Sequence, residues 1–514
     1  MTTGLKLRMI LRDIYLNILT DKIFAPKLAL AFALSLLVHL FASFSSEGFM
    51  QHDEHYQVLE YASYQLGHTN ASELPMEFQE KMRSWLLPAV VYGLFSVLKF
   101  VGLQDPFGLA IALRIFVGFF SCLVFWIGAV ATIRLLKFSQ IKAYVPMIFL
   151  ATWFVPFLQV RPSSDNLSTQ FFLLALFTQM LFYPELFRFE RQRQESRCLY
   201  LPDLLTGVFL GLAIVLRFHV LFLIGTFAVW LIVTKKFSFP KFLLIACGLL
   251  ISGLLGYAVD SWGYGTPVFS LANYLSFSFS SHVQSSILPA PWYQYFKYML
   301  VRGVPPLGVI YVLALLGLGW RNRQHWLFWF FIAYVGVHSL IGHKEIRYLY
   351  PLYLMAPLTL SLWLDSQMER GKSYKQLTLT FFFFLSFLVQ AVSIVRPANN
   401  AVPFYRQMQE KLPPNIIIEY QGEHPFEMVG YLARFYLWRA DLAFLKQEVY
   451  PEIYGDGERF FFSRTGAEYL SYADNKDCQP LVTNINPQFL KYNWFDWIKR
   501  SRIWAIWKCQ QNGA

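Results

Sequence analysis

The sequence predicts an all-α polytopic membrane protein with about eleven transmembrane helices and a small C-terminal α/β domain. Three observations carry that reading. Of 514 residues, 56% are hydrophobic, 18% aromatic and only 15% charged, against about 25% charged in a soluble domain. Apolar runs long enough to cross about 30 Å of hydrocarbon recur from residue 28 almost to residue 396. After Pro397 they give way to "NIIIEY", "RFFFSRTG", "CQPLVT" and "IWAIWKC", strand-like runs separated by polar and proline-containing segments with room for helices. The expected division is a membrane domain at 1–396, with an outer loop at 47–107 carrying membrane-surface helices, and a non-cytoplasmic α/β domain at 397–514.

Residues 28–44 follow a basic N-terminal stretch and lack a small-residue cleavage site, so they read as a retained first span rather than a signal peptide. Basic residues cluster at Lys6, Arg8, Arg12, Lys22 and Lys27, at Arg134, Lys137 and Lys142, and at Arg188, Arg191, Arg193 and Arg197. Further clusters are Lys235, Lys236 and Lys241, then Arg321 and Arg323, then Arg370, Lys372 and Lys375. Retaining all of them in the cytoplasm requires spans near 28–46, 108–133, 143–160, 167–184, 203–217, 219–234, 241–259, 303–319, 325–341, 348–364 and 376–395. The N-terminus is then inside and the C-terminus outside. The segment "WLLPAVVYGLFSVLKFVGL" at 85–103 is apolar enough to be a further span. Counting it would export the clusters at 188–197, 235–241 and 321–323, against the positive-inside bias. It is therefore expected to lie flat on, or re-enter, the outer leaflet, and Pro88, Gly93 and Gly102 fit an interrupted helix. The same parity sends 51–83, 161–166, 260–302 and 342–347 to one outer face.

The net charge of +12 is accounted for by cytoplasmic retention, so no nucleic-acid partner is expected. The cytoplasmic loops hold no Walker-type glycine loop, which argues against an activated-nucleotide donor on that side. Five cysteines show neither a CxxC pair nor metal-ligand spacing, so no metal is expected. Cys122 and Cys247 read as core thiols, whereas Cys478 and Cys509 would pair if their domain faces an oxidising compartment. "NAS" at Asn70 and "NLS" at Asn166 match glycosylation sequons, a pattern too short to identify the membrane.

The polar residues of the outer face form four groups. "HDEHYQVLE" places Asp53, Glu54 and Glu60 beside hydrocarbon, and a helix would bring Glu54, Gln57 and Tyr61 onto one face. Solvated loop charge is the plain explanation. A carboxylate in a partly desolvated cleft is also a general base for a hydroxyl. "GHKEIRYLYPLY" sets His343, Lys344, Glu345 and Arg347 at the outer end of a span. Snorkelling explains isolated basic residues there, but four ionisable groups in five positions suit a phosphate, with Arg as a planar fork and Lys as a compact charge. "QVRPSSDNLS" presents Arg161, Asp165 and Asn166 at a turn that helix capping would also explain. "DSWGYGTPVFSLANY" follows Asp260 with aromatics including Tyr264, then Asn273. It reads equally as a sugar-binding surface or an interfacial aromatic belt.

Taken in order, these motifs resemble the glycosyltransferase family 22 mannosyltransferases, which extend glycosylphosphatidylinositol and N-glycan precursors from dolichyl-phosphate mannose. The likeness rests on "QHDE" and "MRSWLLP" in the first loop, "RPSSDN", "DSWGYG" and, most specifically, "HKEIRY". The chain departs from the family pattern at His52, Pro162 and Trp262. The resemblance implies a GT-C-type fold and an inverting hexosyltransferase without a cofactor, integral to a bacterial inner membrane or the endoplasmic reticulum. Its active site would face the non-cytoplasmic side. The implied partners are a polyprenyl-phosphate-linked sugar donor, a glycolipid or lipid-linked oligosaccharide acceptor, and membrane lipids. The implied roles are Asp53 or Glu54 as catalytic carboxylate, and His343, Lys344, Arg347 and Arg83 for the donor phosphate. Glu345, Arg161, Asn166, Asp260, Tyr264 and Asn273 would bind substrate or support the site. A transporter or flippase of a lipid-linked sugar is the alternative, and it needs no general base.

Overall fold

In the computed structural model, which describes residue 12 and residues 24–188, 199–278, 290–369, 376–447 and 457–511, helices predominate and a small sheet region lies towards the C-terminus. Lys6, Arg8, Lys22, Arg191, Arg193, Arg197, Arg370, Lys372 and Lys375 lie outside the described residues. By length and composition, Ala25–Ser45, Pro106–Leu135 and Phe239–Tyr264 are able to cross a membrane. Shorter apolar helices occupy Leu86–Phe100, Tyr200–Leu216, Phe218–Val233, Leu307–Arg321, Trp326–Leu340 and Leu379–Val395. Two expected spans are interrupted. The region near 143–160 divides into Ser139–Leu150 and Val155–Gln159, and the region near 348–364 into Ile346–Leu349, Tyr350–Leu354 and Ala356–Met368. Pro156 and Pro357 open the helices after the breaks, where a missing N–H costs nothing.

The chain forms two units: a helical unit of Met1–Phe44, Glu80–Ala89 and Arg114–Val395, and a sheet unit of Ser45–Gln79, Val90–Leu113 and Arg396–Ala514. In the helical unit, Tyr200–Leu216 and Phe239–Tyr264 approach closely through small residues. A Cβ added at Gly207 would lie 2.1 Å from the Ile245 carbonyl oxygen, and Ser252 Oγ donates to the Val208 carbonyl at 2.8 Å. Such contacts, rather than hydrophobic burial, drive helix association in lipid. Buried Asp203 adds polar ties, accepting from Tyr183 Oη at 2.7 Å and from Gln179 Nε2 at 3.1 Å.

The sheet unit contains β1 (Ile416–Tyr420), β2 (Glu427–Met428), β3 (Tyr431–Leu432), β4 (Leu442–Lys446), β5 (Gly457–Ser463), β6 (Cys478–Thr483) and β7 (Ala505–Gln511). The main sheet has the order β4-β1-β5-β7-β6, parallel across its first three strands and antiparallel at β7. The four strand-like runs of the sequence are β1, β5, β6 and β7; β4 and the β2–β3 hairpin are additional. Cys478 and Cys509 are paired across β6 and β7 and disulfide-bonded, inside a core that includes Phe461, Ile498, Ile503 and Trp507. The helix Ala401–Lys411 buries Val402, Phe404, Tyr405 and Met408. A second helix, Gly466–Ala473, starts with a Thr465/Glu468 capping box.

Candidate active site

The acidic loop belongs to the sheet unit. Its helix is not uniform: His52–Glu54 is α, His55–Leu59 is a π turn, and Glu60–Gln65 is α again. That turn changes the expected face. Gln57 and Tyr61 both reach the Met76–Gln79 helix, through a 2.9 Å bond from Gln57 Nε2 to Glu77 and an edge-on contact of Tyr61 with Phe78. Glu54 instead folds back on its own N-terminus, where Oε1 accepts from the Met50 and Gln51 amides at 3.3 and 3.2 Å. It is buried, whereas Asp53 is half-exposed. The fold therefore uses Glu54 as a cap and leaves Asp53 the more accessible carboxylate.

Glu60 is also buried and structural. It accepts from Thr69 Oγ1 at 2.8 Å and from the Phe435 amide at 2.9 Å, and lies 2.8 Å from His55 Nε2. The His55 ring stacks on Phe49 and on Tyr436. Tyr56 Oη donates to the carbonyls of Met428 and Tyr431 at 3.1 and 2.7 Å. Burial, then the charge of Glu60, pushes its phenol pKa far up, keeping it a donor.

In the helical unit, three predicted residues converge on residues 80–85. Asp260 accepts from the Trp85 amide at 2.7 Å and from the Ser84 and Ser270 hydroxyls. Tyr264 Oη accepts from the Arg83 amide at 3.3 Å and donates to its carbonyl at 2.8 Å. Asn273 Nδ2 donates to the Lys81 carbonyl at 3.2 Å. These side chains hold the backbone that carries Arg83, whose guanidinium lies over the Tyr274 ring. Asn166 plays a similar part at the RPSS turn, donating to the Arg161 carbonyl at 2.9 Å and to the Gln159 carbonyl at 3.1 Å. Arg161 is fully buried over Phe157.

The most concentrated charge surrounds Asp165. Arg217 Nη2 lies 3.0 Å from Asp165 Oδ2, Arg347 Nη1 lies 3.8 Å from the same oxygen, and His219 Nδ1 is 4.0 Å from Oδ1. Arg347 also bonds Glu345 Oε1 at 2.8 Å, an oxygen 2.7 Å from His343 Nε2. Lys344 is buried and donates to the Ile341 and Ala290 carbonyls at 2.6 and 3.0 Å. Two guanidinium groups, Arg217 and Arg347, thus meet two carboxylates, Asp165 and Glu345, while Lys344 is fixed on backbone carbonyls. Buried planar guanidinium forks are the chemistry of an anion site. Sequence reasoning missed Arg217, His219, Tyr334 and His338, whose rings and charges border this group. The available signal was an arginine interrupting "LAIVLRFHVLFLIG", since an ionisable residue inside an apolar span marks a site by default.

Helices of this length and apolarity, polar groups buried within them and a small appended sheet define an integral membrane protein. Residues 30–414 match the Alg9-like mannosyltransferase family, and the chain belongs to it. GPI mannosyltransferase 3 of Yarrowia lipolytica (strain CLIB 122 / E 150) is 29% identical over 316 residues, which are 60% of this chain and 57% of that protein. Mannosyltransferase APTG1 of Arabidopsis thaliana is 25% identical over 346 residues, 64% of this chain and 57% of that protein. The match thus spans a little over half the length of these curated relatives. In fold, the chain is similar to crystal structures of ArnT from Cupriavidus metallidurans in the apo state and bound to undecaprenyl phosphate. Each has a TM-score of 0.55 at 14% identity and covers 93% of this chain and 97% of ArnT. The mostly helical, ArnT-like GT-C architecture with a small C-terminal sheet agrees with the sequence expectation.

Proposed function

We propose that the chain is a membrane mannosyltransferase that moves mannose, with inversion, from a polyprenyl-phosphate donor to a glycolipid or lipid-linked oligosaccharide acceptor on the non-cytoplasmic side. The observation that carries the reading is the pair of buried guanidinium groups, Arg217 and Arg347, gathered at Asp165. Family membership and the mannosyltransferase names of the relatives support mannose as the sugar, and undecaprenyl phosphate bound to ArnT supports the lipid carrier.

In the proposed step, Asp53 takes the proton of an acceptor hydroxyl as its oxygen forms a bond to the anomeric carbon. The bond from that carbon to the phosphate oxygen breaks, and polyprenyl phosphate leaves with the electron pair. A single displacement through an oxocarbenium-like transition state inverts the centre. Lys344, Arg347 and Arg217 stabilise the charge growing on the phosphate, with Arg83 and His343 assisting. Glu345 orients Arg347. On this reading 1–396 is the catalytic membrane domain, with about eleven spans and 85–103 on the outer leaflet, and 397–514 an outer α/β domain.

The test is incubation of purified full chain with radiolabelled polyprenyl-phosphate mannose and a lipid extract from the source, followed by chromatography of the product and determination of its anomeric configuration. Transfer with inversion supports the reading. Movement of intact donor across a vesicle without transfer would make the chain a transporter.

A further inference from the structure

Residues 487–502 of the sheet unit, "PQFLKYNWFDWIKRSR", divide their apolar side chains in two. Ile498 is buried in the domain core, and Leu490 and Trp497 pack against that core. Phe489, Tyr492, Trp494 and Phe495 do the opposite, with relative exposures of 67%, 58%, 72% and 93%. Four large aromatics exposed within seven residues, with Tyr492 and Trp494 in ring contact, are the kind of apolar surface that marks an interaction site. The segment has core contacts through its other residues, so the outward aromatics are not the result of a missing core.

The presentation is built. Phe495 and Asp496 both adopt left-handed backbone, φ 56° and 54°, a conformation uncommon outside glycine and asparagine and held only where the surroundings over-determine it. Here they do. Asn493 Oδ1 accepts from the Ile498 amide at 3.1 Å, Asn493 Nδ2 donates to Asp496 at 3.3 Å, and Trp497 Nε1 donates to the Tyr492 carbonyl at 2.6 Å. Arg500 bonds the Phe495 carbonyl from the other side. Around the aromatics stand Lys491, Lys499, Arg500 and Arg502, all exposed, against Asp496 as the segment's one acid.

We infer that residues 487–502 form a membrane-interface anchor, whose aromatics enter the headgroup boundary of a bilayer while the lysines and arginines meet anionic lipid headgroups. Tryptophan, tyrosine and phenylalanine beside basic residues are the side chains that partition to that boundary, and the sign of the surrounding charge complements anionic lipid. The inference goes beyond the proposed transfer reaction and does not depend on it.

The test uses the full-length chain in lipid nanodiscs, with Cys122, Cys198 and Cys247 replaced by alanine and the Cys478–Cys509 bond retained. A spin label is placed at Phe495→Cys. In a separate preparation it is placed at Leu445→Cys, on β4 at the opposite edge of the sheet order. Power saturation then compares collisions with oxygen and with a water-soluble nickel chelate. In discs of phosphatidylcholine with phosphatidylglycerol, the oxygen-to-nickel ratio at 495 should exceed that at 445 severalfold. It should fall in phosphatidylcholine alone and in Lys491→Glu/Lys499→Glu. Equal ratios at the two positions would overturn the inference. So would a label at 495 that is immobile and shielded from both reagents, which would signify cover by protein. Each outcome is independent of whether mannose is transferred.

Discussion

Asp165→Asn is expected to make the apo protein less stable and yet bind polyprenyl phosphate more tightly. Asp165 Oδ2 holds Arg217 at 3.0 Å and lies 3.8 Å from Arg347, and the aspartate side chain is 1% exposed. Breaking a buried ion pair costs about 3–5 kcal/mol. The lower end, about 3 kcal/mol, is expected here because Arg347 keeps Glu345 at 2.8 Å. The same change removes repulsion between a carboxylate and the incoming phosphate. At a separation of about 6 Å and an effective dielectric of about 20, that repulsion is about 3 kcal/mol per phosphate charge, roughly a hundredfold in affinity. Arg217→Gln is the companion variant. It breaks the same pair and lowers stability similarly, but it removes a cation, so affinity should fall. Thermal unfolding in detergent measures the first quantity, and titration calorimetry with polyprenyl phosphate the second. If both variants lose stability and neither changes affinity in the stated direction, the cluster is a structural ion pair and the phosphate lies elsewhere.

Other expectations follow from the same geometry. Asp53→Asn should reduce transfer by about 10²- to 10⁴-fold with donor affinity nearly kept, whereas Glu54→Gln, which retains a capping oxygen for the Met50 and Gln51 amides, should keep most of its turnover; the reverse pattern would make Glu54 the base. Arg347→Lys should lower transfer by losing the planar fork, and Lys344→Ala should lower it further while destabilising by about 1–3 kcal/mol through the Ala290 and Ile341 carbonyls it leaves behind. Parent-like binding and turnover in both would reduce the HKEIR segment to an anchor. Cysteines at His52 and Gln104, in the background lacking Cys122, Cys198 and Cys247, should both react with an impermeant thiol reagent from the non-cytoplasmic side, and labelling of 104 only after the membrane is opened would make 85–103 a span. Burial, then Arg434, lowers the His424 pKa to about 4, and its Nδ1 accepts from the Phe426 amide at 3.1 Å. The unfolded chain takes up that proton first, so the stabilisation present above about pH 6.5 is lost as pH falls towards 4. Thermal melts of the full chain across that window should flatten in His424→Gln, and an unchanged slope would remove His424 as the cause.

The parts of the fold legible in the sequence were those with a strong local pattern. Uninterrupted apolar runs announced helices, and "NIIIEY", "RFFFS", "CQPLVT" and "IWAIWKC" announced β1, β5, β6 and β7. The strand "LAFLK" was hidden because it is short and lies at the sheet edge, with alanine and lysine diluting its pattern. The π turn at "HYQVL" left no trace, since all five residues are buried and periodicity has no polar face to register. Asp53 and Glu54 were indistinguishable as neighbouring acids. What separates them is a capping box built on Gln51, and the familiar signature has serine or threonine there. Asp260, Tyr264 and Asn273 stand out in the sequence as candidate substrate-binding or supporting residues, but composition does not disclose that they grip the backbone of 80–85. Arg217 carries its signal in plain view, as a charged residue at the end of an apolar run.

The grip of Asp260 on the Trp85 amide joins positions 175 residues apart in the chain. During synthesis, the segment that presents Arg83 therefore lacks this bond until the helix Phe239–Tyr264 has emerged. At about 5–20 residues per second, that interval is roughly ten to thirty-five seconds. Throughout it, the start of Leu86–Phe100 must be tolerated by the insertion machinery and the surrounding lipid with its eventual acceptor still unmade. A ribosome stalled between these two codon positions would leave a chain whose early helices are inserted but whose Arg83 turn is unset, so the order of translation itself becomes part of how this site is assembled.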